Sequence, residues 1–218
     1  LRLFASEPVV AGPGPRSIFT QTLPVDPTRR LESITLSAEP ANDAGGDAEF
    51  GVYAVTLTTP RGEPVMLPLG SLRNRITLAD PASPPTNGWR NKPEWFNRQS
   101  LLDAVKLTPA GHLETAPGVT FRLPSAEHDE ADEPDTWIIP VGQAAAAPIP
   151  SGTYARLSVL YSAVGFNPVG DGPNNGGITL HYDDDTAQQL PWDLADSNGA
   201  GLDTAATSHQ IANPNTNE

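Results

Sequence analysis

Residues 154–164 read YARLSVLYSAV and residues 178–194 read ITLHYDDDTAQQLPWDL. In the first stretch Leu157, Val159, Tyr161 and Ala163 alternate with Arg156, Ser158, Leu160 and Ser162. A period of two places these sets on opposite faces of a strand, one apolar and one mixed. In the second, Ile178, Leu180 and Tyr182 alternate with Thr179 and His181, and Asp183, Asp184 and Asp185 supply a hairpin turn before Gln188, Leu190 and Trp192. Working outward, GVTFRLP (118–124) and DTWIIPV (135–141) read as strands of the same kind, and AAAAP (144–148) reads as a small-residue connector. LLDAVKL (101–107) is the one plausible short helix, ended by Pro109 and Gly111.

Upstream, IFTQTLPVD (18–26) and RRLESITL (29–36) form a hairpin or a corner, with Ile34 and Leu36 on one face and Ser33 and Thr35 on the other. FGVYAVTL (50–57) puts Tyr53, Val55 and Leu57 on one side, after a connecting loop from Asn42 to Asp47. Short alternating runs separated by Pro, Gly, Asn and Asp predict an all-β sandwich or barrel. Composition agrees: 24 Pro and 19 Gly among 218 residues argue against a helical bundle. At roughly 150 residues per domain the length fits one large or two small domains.

Charge narrows the partners. The chain carries 13 basic and 26 acidic residues, a net of -13, and lysine occurs only at 92 and 106. Nucleic acid and anionic membranes need clustered positive charge, so neither is an expected partner. No apolar run approaches the roughly 20 residues that cross a bilayer. The N-terminus lacks a basic-then-apolar secretion signal, which predicts a mature, trimmed or partial chain. With no Cys there is no disulfide, thiolate metal site or cysteine nucleophile, and His112, His128, His181 and His209 have no metal-ligand spacing.

Residues 79–97, ADPASPPTNGWRNKPEWFN, hold Pro81, Pro84, Pro85 and Pro93, a density that predicts a loop or linker without regular structure. The tail, 197–218, is polar, poor in large apolar residues and expected to be irregular.

LLDAVKLTPAG, GVTFRLP, DTWIIPVGQ, IPSGTYARLSVLYSAV and ITLHYDDDTAQQLPWDL together resemble the jelly-roll, galactose-binding-like modules appended to bacterial glycosidases and other secreted hydrolases. The resemblance covers about 95 residues and rests on a G-V-x-F-x-x-P strand, a GTY-x-x-L strand start and a T-x-x-Y-x-D-G-T hairpin. Asp185 stands where the family has its turn glycine, so the motif does not set the turn type. TLPVDPTRRLESITL and FGVYAVTL resemble the closing strands of the same module, yet here they come first. A circular permutation, a fragment spanning two tandem modules, or a sandwich completed by a neighbouring copy would each give that order. The resemblance implies an antiparallel β-sandwich of jelly-roll type over 1–218 in an extracellular or cell-surface protein.

Candidate chemistry is sparse. There is no G-x-S-x-G, and GPGP (12–15) opens no helix that could hold phosphate, so no active site is legible. Glu127, Asp129, Glu130, Asp132, Glu133 and Asp135 form an acidic stretch without EF-hand spacing. It reads as a solvated loop or, through Asp129, Asp132 and Asp135, as oxygen ligands for calcium. Trp89 and Trp95 lie in the proline-rich segment with Asn91 and Asn97. Indoles flanked by amides suit the apolar face and polar rim of a sugar ring, and they equally suit anchoring the segment to the sandwich. Trp137 and Trp192 read as core or corner residues. The expectation is a noncatalytic module that binds carbohydrate or mediates attachment. The alternative is a structural subunit of an extracellular filament or surface layer, built by strand exchange between copies.

Overall fold

The computed structural model describes residues 7–8, 18–38, 49–79, 88, 96–97, 106–108, 112–115, 118–123, 134–140, 142–164 and 175–193. Along the chain the strands are β1 (Glu7–Pro8), β2 (Phe19–Pro24), β3 (Arg30–Ala38), β4 (Glu49–Thr58), β5 (Pro64–Met66), β6 (Leu78–Ala79), β7 (Phe96–Asn97) and β8 (Lys106–Leu107). They continue with β9 (Leu113–Glu114), β10 (Thr120–Phe121), β11 (Trp137–Pro140), β12 (Ala144–Thr153), β13 (Arg156–Val164), β14 (Asn175–Tyr182) and β15 (Ala187–Asp193). One 3-10 turn, Gly70–Leu72, follows β5.

Two antiparallel sheets face each other. The larger runs β1-β2-β13-β4-β11, with β5 also paired to β4, and the smaller runs β12-β3-β14-β15. Neither closes on itself, so the fold is a sandwich. The chain passes between sheets from β2 to β3, β3 to β4, β11 to β12, β12 to β13 and β13 to β14, which is the crossing habit of a jelly roll. Residues 18–36 therefore form a corner, since β2 and β3 belong to different sheets. The Asp26 carboxylate fixes that corner by accepting from the Thr28 amide (2.9 Å) and hydroxyl (2.6 Å). β3 sits between β12 and β14, and β4 between β13 and β11, so both halves of the sequence contribute to each sheet.

The main core fills the space between the sheets. Phe19, Phe50, Val52, Val55, Leu57, Trp137, Leu157, Val159 and Tyr161 meet Leu31, Ile34, Leu36, Ala147, Ile149, Ile178, Leu180 and Leu190. The alternation read in 154–164 and 178–182 is thus the inward face, and Tyr161 lies between the rings of Phe19 (centroids 5.6 Å apart) and Phe50 (5.7 Å).

Four expectations change. Val55 and Leu57 face the main core, but Tyr53 does not: the β13 register steps from Leu160–Ala54 to Tyr161–Val52, leaving Tyr53 as an extra, bulged residue. A bulge reverses the alternation beyond it, so Phe50 and Val52 share the inward face and Tyr53 and Ala54 point outward. AAAAP is not a connector but part of β12, because Ala144–Pro148 pair residue for residue with Ser37–Ser33. Partner strands here override alanine's weak β-propensity. Lys106 and Leu107, read as the end of a helix, pair with Glu114 and Leu113, and 101–105 lie outside the described residues. The mixed face of 154–164 is buried as well. Leu160 joins Ile18, Tyr53, Ala54, Leu78, Leu113, Phe121 and Ile138 in a second core on the outer side of the larger sheet. Leu78, Leu113 and Phe121, from β6, β9 and β10, cover that side, and Thr56 Oγ1 donates to the Thr120 carbonyl (2.7 Å).

Candidate functional site

The segment nominated for sugar binding starts and ends on this outer side. Leu78 pairs with Phe96 and Ala79 with Asn97 in a two-residue parallel ladder, so the two borders of the segment lie side by side. Regular structure thus touches both borders of 79–97, while 80–87 and 89–95, with Trp89, Asn91 and Trp95, lie outside the described residues. For Asn97 the backbone alone is described.

Beneath the ladder is Asp135. Sequence reading offered it as a calcium ligand with Asp129 and Asp132, which lie outside the described residues. Asp135 is 1% exposed and directs its oxygens inward. Oδ1 accepts from the Thr77 amide (2.9 Å) and the Thr136 hydroxyl (2.5 Å), and Oδ2 accepts from the Leu78 amide (2.8 Å). Thr77 Oγ1 lies 2.5 Å from Thr136 Oγ1 and donates to Tyr53 Oη (3.2 Å). A buried carboxylate is tolerated when donors satisfy it, and here backbone and hydroxyl donors do. The guanidinium of Arg73 lies in the same electrostatic surroundings. Burial pulls it below its ordinary value, the Asp135 charge opposes that, and Arg122 adds repulsion. Asp135 and Asn97, proposed for different ligands, are therefore linked through Leu78, which takes the carboxylate on its amide and precedes the residue paired with Asn97. No periodicity marks this network, because its members come from 53, 77–78 and 135–136.

The acidic hairpin is occupied by its own contacts. Asp185 has φ +62°, the left-handed position where the resemblance has glycine. The Asp185 amide donates to Tyr182 O and the Tyr182 amide to Thr186 O, a turn followed by a left-handed residue. Asp184 pairs with Arg29 (3.1 Å), and Arg30 Nε lies 3.2 Å from Asp183 Oδ2. The Arg29 guanidinium also stacks over Tyr182, 3.6 Å from the ring centroid. Among the described residues no three His, Asp or Glu side chains converge as a metal centre requires. Also among them, no helix is long and apolar enough to cross a membrane. Trp137 is in the main core.

Comparison with known proteins finds no family model that matches the chain, and no similar curated protein or solved structure.

Proposed function

We propose that this chain is a noncatalytic extracellular β-sandwich module that binds carbohydrate through the segment bearing Trp89, Asn91, Trp95 and Asn97. One observation supports this reading above the rest. The segment's two ends are paired to each other, and its first strand is held by a buried carboxylate and by Leu78, which is 2% exposed. A fixed base lowers the entropy lost when aromatic side chains engage a ligand. The test is a glycan array followed by calorimetry on wild type, Trp89→Ala and Trp95→Ala. Binding that falls at least tenfold in either variant, with an unchanged thermal melt, supports the reading. No binding by wild type, or binding as tight as wild type in both variants, overturns it.

A second reading is a structural subunit assembled by strand exchange between copies. The central places of β3 and β4 between later strands favour it, since a segment with partners on both sides can be supplied by another copy. Light scattering distinguishes the two. Ordered polymers support exchange, and a monodisperse monomer that binds glycan supports the first reading.

A further inference from the structure

Gln21 breaks the pattern of the core it sits in. On β2 it lies between Phe19 and Leu23, which both belong to the main core, and it is paired with Val159, another core residue. Residues directly opposite each other in a ladder share a face, so the Gln21 amide is aimed between the two sheets. It is 5% exposed, and its Oε1 accepts no hydrogen bond among the described residues. A buried acceptor without a donor costs stability, and such a group calls for a donor from elsewhere.

The same strand has an open edge. β13 pairs along β2 from Phe19 to Pro24, whereas on the other side β1 pairs only with Phe19 and Thr20. Among the described residues no strand pairs with the outer edge of 21–24. Such an edge presents backbone donors and acceptors to a further length of strand. The β1 register, Glu7 with Thr20 and Pro8 with Phe19, fixes which residues would follow. Counting back along LFASEP (3–8), Ser6 falls opposite Gln21, Ala5 opposite Thr22 and Phe4 opposite Leu23. In that register a hydroxyl donor meets the unpaired acceptor and an aromatic ring meets a core leucine. A slip of one residue would set Ala5, which has no donor, or Glu7, whose carboxylate only accepts, against Gln21.

We propose that the outer edge of β2 is a strand-acceptor site, that its occupant is residues 3–6 of the same chain, and that Gln21 selects the register by taking the Ser6 hydroxyl. The proposal rests on neither reading of the function.

The chain has no cysteine, so an introduced pair reports its own proximity. A disulfide needs Cα atoms within about 7 Å and side chains that point toward each other, which residues in register satisfy and residues one step out do not. Ala5→Cys with Thr22→Cys, oxidised in the full chain, forms a disulfide within one chain, identified by mass spectrometry of the non-reduced digest. Phe4→Cys with Thr22→Cys is oxidised at least tenfold less under the same conditions. Against glutathione, the effective concentration of the 5/22 pair falls about five- to tenfold when Ser6→Ala is added. That fall disappears in a Gln21→Leu background, where the acceptor is gone. Leu3→Cys with Pro24→Cys, at the exposed end of the same register, decides the matter if Thr22→Cys does not fold. Equal oxidation in and out of register, or no oxidation of either pair, would overturn the proposal. Disulfides between chains would also overturn it, by assigning the segment to a neighbouring copy. An effect of Ser6→Ala that is absent, or that persists without Gln21, would remove Gln21 from the role given to it.

Discussion

Tyr154 closes the corner between β12 and β13. Its ring belongs to the main core and its hydroxyl donates to the Pro150 carbonyl (2.6 Å). Burial raises the pKa of that hydroxyl. Tyr154→Phe removes the donor and leaves the carbonyl short of a partner, at a cost of about 1–2 kcal/mol read from the urea midpoint. Asp185 has the opposite problem, a side chain at φ +62°. Asp185→Gly relieves the left-handed penalty and raises stability by up to about 1 kcal/mol, seen as a higher melting temperature. Asp26 and Asp184 are exposed carboxylates whose pKa values are lowered, first by side-chain hydrogen bonds from Thr28 and Thr186. A lowered folded pKa adds stability above the ordinary value of 3.8, which is lost as pH falls through the depressed values. Carboxyl NMR titration checks this: both midpoints fall below 3.8, and in Thr186→Val that of Asp184 moves back up.

At the scale of elements, the smaller sheet is tightest where β3 meets β14. A side chain on Gly177 would place its Cβ 2.8 Å from Ser37 Oγ, and that hydroxyl donates to the Gly177 carbonyl. Gly177→Ala therefore destabilises the fold by about 1–3 kcal/mol, and adding Ser37→Ala restores part of the loss in a double-mutant melt. The edge strand β12 carries Pro148 and Pro150, residues that remove outward donors from an edge and discourage pairing with another chain. Element identity was readable where side chains alternate. Leu157, Val159 and Tyr161 of β13 and Ile178 and Leu180 of β14 face the main core as their spacing predicts. It was not readable in β12, where alanine carries almost no pattern, nor at Tyr53, where one extra residue shifts the phase of β4.

Across the whole molecule, the main core is the dominant source of cohesion, since the chain has no Cys for crosslinks. Leu157, wholly buried on β13, touches that core, and burying one such side chain contributes roughly 1.5–3 kcal/mol. Leu157→Asp places an unpaired charge there and abolishes the cooperative melt; a retained sharp transition in circular dichroism would contradict the assigned face. With a net charge of -13 and a pI near 4.5, copies repel at neutral pH. Acidification toward 4.5 promotes association, measured as rising light scattering, and added salt at pH 7 does so more weakly.

Local chemistry was enough to exclude a helical bundle, to locate most sandwich strands and the acidic turn, and to choose the faces of β3, β13 and β14, because each depends on residues close together along the chain. The second core and the role of Asp135 were decided by tertiary structure. Each joins residues far apart in sequence, such as Tyr53, Thr77 and Thr136, and a contact over that separation leaves no period to read. Asp135 itself reads in the sequence as one acid of a solvated run or as a calcium ligand, and only the amides of Thr77 and Leu78 show it to be a buried, hydrogen-bonded carboxylate.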